Sequence, residues 1–417
     1  MIPLIATRKT SSEAIRKKIK AHFIYEFGMK TFFTKESISI FFISLIFHAL
    51  ALMKWGIHVT NDYKGIYKPA ALHMLSVIMG GGDWIGEFGN LLTIYDTATH
   101  LVWIIVVMFF NYCFAESACY AIVVFNILLT SVLYSVLVAF CQRNFGNKII
   151  AFITGLMLLL FYPNFYWVLF VDPTCFYRAL FFFLFFLLLS PYLEKKPYVF
   201  FTTVVVSFLL LAMVRIDTVV LFLPIFVFAF FRLYQLWRIK FIYLQALLLS
   251  IGCFVFFKSN LAESIIQVIY SFTKYGYIVM GDGSYQNSTI AIEAFDTAKA
   301  QNFLYILTRF SKLLVYRTFY YLSPLRPFWP THYMVYHGLF LGVVYILSIA
   351  SMRRIWVTKN TFFSMMISFF FASILLHGLS RIDMFLRTAV TPYTFLIVFS
   401  GYGADYIWAR LKGSTIN

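Results

Sequence analysis

A single carboxylate, Asp62, follows the first long apolar run, in the segment His58-Val-Thr-Asn-Asp-Tyr-Lys-Gly-Ile-Tyr-Lys-Pro-Ala70. A carboxylate at the mouth of a membrane helix is placed to take a proton from a hydroxyl on a lipid-borne substrate. Tyr63, Lys64 and Tyr67 stand beside it and offer a phenol, a cation and a second ring for a sugar or phosphate. The plain alternative is a juxtamembrane acid facing lipid headgroups.

Three further stations carry ionisable groups next to apolar runs. At Val171-Asp172-Pro173, Asp172 either orients a substrate hydroxyl or caps a helix whose first residue is proline. At Arg215-Ile-Asp217 the two charges either pair and tie a hairpin, or Arg215 faces a phosphate. In Ser380-Arg381-Ile-Asp383-Met-Phe-Leu-Arg387, the guanidinium groups of Arg381 and Arg387 match the geometry of a phosphate or diphosphate. Their alternative is anchoring at the outer surface, against the usual charge bias. The chain has no P-loop, no Gly-x-Ser-x-Gly elbow, no His-Glu-x-x-His and no dinucleotide fingerprint. No Asp-x-Asp pair is present, which argues against a tightly held metal. No cofactor is expected, with a divalent cation left open.

The elements that position these residues are membrane helices. The 417 residues are 61% hydrophobic and 12% charged, against roughly 25% charged in soluble domains, and the mean hydropathy is +0.82. Apolar segments run near 38–57, 99–116, 118–140, 149–170, 176–193, 198–214, 217–232, 241–257, 335–351, 361–379 and 388–408. The expected fold is an all-α, polytopic bundle of about 11–12 spans, each needing about 20 apolar residues. It divides into a basic cytoplasmic segment 1–37, a membrane module 38–257 with a first external loop 58–98, a long external loop 258–334, and a second membrane module 335–417. The lysines and arginines before residue 38 keep that flank inside and put Asp62 outside. Counting back from a cytoplasmic C-terminus puts 141–148 inside, whereas counting forward puts it outside. One of the segments between 58 and 140 is therefore miscounted, and 69–82, with Pro69 and the break at Gly80-Gly-Gly82, is an interfacial or re-entrant candidate. Pro324, Pro327 and Pro330 interrupt any helix at the end of the long loop, which suits a lid over an acceptor.

The net charge of +17 does not imply a nucleic-acid partner. The cations cluster at span ends, as at Arg143/Lys148, Lys195/Lys196, Arg353/Arg354/Lys359 and Arg410/Lys412, the pattern of anchoring against anionic lipid. The five cysteines form no CxxC pair and read as small buried hydrophobes.

The order of these features resembles the GT-C superfamily of polyprenyl-phosphate-sugar glycosyltransferases, the broad group that includes protein O-mannosyltransferases and lipid A aminoarabinose transferases. Asp62, Tyr67 and Ala70 match its first-loop acid motif, Arg215-Ile-Asp217 its Arg/Asp step between spans, and Asp383, Arg387 and Pro392 its late motif. Asn61 stands where the family often has a second acid, and Thr388 follows Arg387 where it usually has tyrosine. The resemblance implies a transferase that moves a sugar from a polyprenyl-phosphate carrier to a glycan, lipid or protein acceptor. Asp62 would be the general base, and Arg387 with Arg381 or Arg215 would hold the phosphate. It implies inversion at the sugar and, with few cysteines and no long insertions, a bacterial inner membrane. The rival classes are an O-antigen-type polymerase or ligase and a lipid or polysaccharide transporter, which needs no base.

Overall fold

The computed structural model describes residues 34–93, 100–188, 197–214, 302–323, 330–358, 360–377 and 390–413. About 89% of them are helical, in keeping with the all-α expectation. The elements are α1 (Lys35–Trp55), β1 (His58–Val59), a π-helical turn (Tyr63–Tyr67), α2 (Lys68–Met79), α3 (Trp84–Thr93), α4 (Leu101–Phe114) and α5 (Ala118–Asn144). They continue as α6 (Lys148–Leu160), α7 (Tyr162–Val168), β2 (Phe170–Val171), α8 (Thr174–Leu188) and α9 (Pro197–Ala212). The last four are α10 (Phe303–Leu322), α11 (Thr331–Thr358), α12 (Thr361–His377) and α13 (Val390–Leu411). Among the described residues, three helical runs are long and apolar enough to cross a membrane, or four if the bent pair α6–α7 is one span. The apolar segments expected at 217–232 and 241–257 lie outside the described residues.

α1 shows why these sequences fold as membrane helices. Thr34 caps it, accepting from the Ser37 amide at 3.1 Å while Ser37 Oγ accepts from the Thr34 amide at 3.0 Å. Its outward stripe is Phe42, Ile46, Leu50 and Met53, all exposed, and its buried stripe is Ile40, Ser44, His48 and Ala51. Large apolar side chains outside and small or polar ones inside invert the pattern of a soluble helix. Lipid removes the hydrophobic drive between helices, so close packing and hydrogen bonds hold them together.

α1 and α5 run antiparallel along their length. Gln142 Nε2 donates to Glu36 Oε2 at 2.7 Å near one end, Ser131 Oγ donates to Ser44 Oγ at 3.0 Å in the middle, and Cys119 Sγ donates to Tyr63 Oη at 3.5 Å near the other. We call the end carrying β1 and β2 the upper end and the end carrying Glu36 the lower end. α6 returns from the lower end and bends by 63° into α7. Pro163 supplies no amide there, and Asn164 repairs the break by donating to the Leu158 carbonyl at 2.9 Å.

Segments 99–116 and 118–140 were expected as two spans; α4 and α5 together make one apolar run, Leu101–Asn144, among those long enough to cross. His100, before α4, packs on Tyr67 at 5.1 Å between ring centroids, and Phe110 near the end of α4 packs on Phe125 in α5. The run breaks at Ala115, which takes a positive φ of 45°. The long loop 258–334 is not all connector, because α10 occupies Phe303–Leu322 within it. α10 ends before Pro324 and α11 begins after Pro330; Pro324 and Pro327 lie outside the described residues.

The tightest contact joins α11 and α13, which run parallel. A Cβ built on Gly403 meets the Leu347 carbonyl oxygen well inside contact distance and comes within 2.8 Å of the Ser351 amide nitrogen. Ser351 Oγ donates to the Phe399 carbonyl across the same contact at 2.5 Å. Gly403→Ala should therefore force the helices apart and cost about 1–3 kcal/mol or more, the range for overpacking. Gly342→Ala on α11, where a Cβ meets nothing within 4 Å, should be neutral or stabilising. Heating both variants in detergent and measuring the monodisperse fraction checks this; equal melting of the two would refute the close-approach account.

Candidate functional site

The upper end is organised by a parallel ladder that joins residues more than a hundred positions apart. His58 pairs with Phe170 and Val59 with Val171. The His58 amide donates to the Leu169 carbonyl at 3.0 Å, and the His58 ring stacks on Phe170 at 4.8 Å. Because the strands are parallel, the chain leaves both of them in the same direction. Asp62 and Asp172 therefore follow the same end of the ladder.

Thr60 turns the first strand into a helix. Its hydroxyl donates to the Val171 carbonyl at 3.3 Å and accepts from the Tyr63 amide at 3.2 Å, the N-cap geometry. Asp62 falls in the first turn of that helix, where partial positive charge favours a carboxylate. It is half-buried and forms contacts within the protein. The next five residues, Tyr63–Tyr67, make the π-helical turn. Such bulges are frequent at functional sites, and this one turns both Tyr63 and Tyr67 into the core.

That inward turn changes the expected roles. Tyr63 and Tyr67 are 1% and 2% exposed, so neither ring offers a face to a sugar in this conformation. Tyr63 Oη accepts from Cys119 Sγ, and burial and that bond push its phenol above the usual tyrosine range. Tyr63 thus stays a neutral phenol rather than a phenolate. Lys64 is exposed on the same turn.

Asp172 takes the capping role of its two alternatives. It is 1% exposed, and its Oδ1 accepts from the Thr174 amide at 2.9 Å and from the Thr174 hydroxyl. It starts α8, with Pro173 next in the chain. Arg215, Arg381 and Arg387 lie outside the described residues, as do Asp217 and Asp383. The end of α9 before Arg215 reaches the upper end, since the Val102 amide donates to the Met213 carbonyl at 3.1 Å.

One cation missing from the expected site is the most enclosed in the described bundle. Arg178, one turn into α8, is 0% exposed. Its Nη1 donates to Asn164 Oδ1 at 2.7 Å and its Nη2 to Thr130 Oγ1 at 3.1 Å. Its Cζ lies 5.4 Å from the centroid of the Tyr134 ring. Asn126, one turn above Thr130 on α5, donates from Nδ2 to the Phe170 carbonyl at 3.0 Å, so Arg178 lies about one turn beneath the ladder. The signal in the sequence was an arginine inside the apolar run Phe176-Tyr-Arg-Ala-Leu-Phe, which is costly in a membrane and marks function by default. His48, on the inner face of α1, belongs to the same neighbourhood, with its ring 6.5 Å from that of Tyr134.

Among the described residues, no group of three or more His, Cys, Asp or Glu side chains could hold a metal ion. No protein-family model, curated protein or solved structure matches the chain.

Proposed function

We propose that this chain is a polytopic membrane glycosyltransferase of about 11–12 spans. It moves a sugar from a polyprenyl-phosphate carrier to a glycan, lipid or protein acceptor on the outer face of a bacterial inner membrane. The observation that carries the reading is the placement of Asp62, half-buried in the first turn of a bulged helix at the mouth of the bundle. The donor already holds a good leaving group. The protein must supply a base for the acceptor hydroxyl and cations for the departing phosphate. Asp62 serves as the base, and its attack geometry inverts the sugar centre. Lys64 lies two residues from it, exposed to an anionic headgroup. Arg215, Arg381 and Arg387 are the further phosphate ligands in this reading.

The arrangement of helices supports an outer location for the upper end. Glu36 and Gln142 meet at one end of the antiparallel pair α1–α5, so Arg143 and Lys148 sit at the same end as the start of α1, the end this reading keeps inside. A cysteine replacing the exposed Asn61 in a Cys-free background should react with a membrane-impermeant thiol reagent in intact cells. A cysteine replacing the exposed Lys148 should react only after lysis. Reaction of the position-61 cysteine only after lysis would place Asp62 in the cytoplasm and remove the base from the proposed site. Transfer of radiolabelled sugar from a polyprenyl-phosphate donor, assayed in inverted and right-side-out vesicles, then tests the activity itself.

A further inference from the structure

The cluster around Arg178 is a set of buried polar groups whose bonding is incomplete. Arg178, Tyr134 and His48 are each 0% exposed. Arg178 Nε, Tyr134 Oη and His48 Nε2 have no hydrogen-bond partner. Leaving such atoms unpaired in a low-dielectric interior is costly, so each calls for an explanation. The charge is the larger problem. The partners of Arg178, Asn164 and Thr130, are neutral. Asp172, the nearest acid along α8, begins the helix six residues earlier, about 9 Å along the axis, and is engaged by Thr174. A buried guanidinium with only neutral partners is built to receive an anion.

We propose that Arg178 and Tyr134 bind a phosphate oxyanion about one helical turn beneath the β1–β2 ladder. The chemistry matches group by group. Two phosphate oxygens are the acceptors that Arg178 Nε–H and Tyr134 O–H lack. His48 Nδ1 lies 2.7 Å from the Ser44 carbonyl, which can only accept, so Nδ1 carries the proton and Nε2 is a bare acceptor. The remaining hydroxyl of a phosphate monoester supplies the donor for it. The source of the phosphate, a lipid carrier or the free ion, is a matter for the test; the lipid source rests on the transferase reading above.

The test uses the full-length protein in detergent, with thermal unfolding followed against inorganic phosphate, a short-chain prenyl phosphate and the corresponding prenol. Prenyl phosphate should raise the unfolding temperature of the wild type, and the prenol should not. Arg178→Met, which removes a buried charge without opening a large void, should fold and bind prenyl phosphate at least about thirtyfold more weakly. Tyr134→Phe should weaken binding by about three- to tenfold. A response to inorganic phosphate as strong as to prenyl phosphate assigns the site to the free ion, and a response to prenyl phosphate alone assigns it to a lipid. A wild type that responds to neither probe overturns the proposal. So does an Arg178→Met variant that responds like the wild type. If Arg178→Met does not fold, Tyr134→Phe decides: weakened binding supports the site, and unchanged binding makes Arg178 part of the frame and overturns it. Sugar transfer measured in the same preparation separates the two readings. Transfer with a phosphate response indifferent to Arg178 sinks the site alone, and a response through Arg178 without transfer sinks the transferase alone.

Discussion

Asp405→Ala is expected to be the most destabilising single substitution at the lower end, costing about 3–5 kcal/mol, the range for stranding one half of a buried ion pair. Asp405, 2% exposed, accepts from Arg354 Nη1 at 2.8 Å through Oδ2. The same carboxylate accepts the Gly146 amide at 2.9 Å and the Asn147 amide at 3.0 Å. Those amides precede α6, so one side chain closes the α5–α6 turn, the end of α11 and the end of α13 together. Arg354 also donates to the Tyr402 carbonyl at 2.9 Å and lies 3.9 Å from the centroid of its ring. That ring stacks on Phe363 at 3.9 Å, which brings in α12. Alanine at 405 leaves a buried guanidinium and two amides without acceptors. The double variant Arg354→Met, Asp405→Leu should regain part of the loss, because no lone charge remains. It should not regain all of it, because the amides of Gly146 and Asn147 lose the carboxylate that ties the α5–α6 turn to α13. Detergent-melting curves of the single and double variants measure both quantities. An Asp405→Ala protein that melts with the wild type would show that this clasp holds nothing.

Much of this frame was readable in the residues, and the unread parts have physical reasons. Runs of 20 or so apolar residues dictate helices because lipid offers no other partner for the backbone. The places of α1, α5, α11 and α13 therefore followed from hydropathy, with ends displaced by up to seven residues. Hydropathy did not show that α4 and α5 form one apolar run broken at Ala115, since it measures affinity for lipid and says nothing of direction. The break at Ala115 is made without a glycine to announce it. The ladder of β1 and β2 was invisible because two-residue strands carry no periodicity and their pairing joins distant positions. The site was legible in part. Asp62 stood out as an acid after an apolar run, and Asp172-Pro173 carried the signature of a cap. The burial of Tyr63 and Tyr67 was hidden, because a π-helical turn shifts the face on which residues lie without a mark in composition. Asp405 was overlooked for a different reason: its partners, Gly146, Asn147 and Arg354, meet only after three helices have packed.

Asp62→Asn should reduce sugar transfer by about a hundred- to ten-thousandfold, the contribution of a positioned general base, while leaving the protein folded. Asparagine keeps the size and the hydrogen-bonding reach of the side chain but cannot accept the acceptor's proton at neutral pH. The fold should tolerate it because Asp62 is half-buried in the first turn of a helix that Thr60 already caps. Loss of the charge there weakens the interaction with the helix dipole by about 0.3–1 kcal/mol. Asp172→Ala supplies the contrast. Asp172 is buried and bonded to Thr174, so its replacement should weaken the start of α8 by about 1 kcal/mol and lower the amount of folded protein. Turnover per folded molecule should hold. Single-turnover transfer from a polyprenyl-phosphate-linked sugar, normalised to the monodisperse protein, separates loss of chemistry from loss of fold. A transporter guided by arginines would pass its cargo in both variants and transfer nothing in either. A fully active Asp62→Asn would remove Asp62 as the base even if transfer itself were established, and the proton would then have to leave by another group at the upper end.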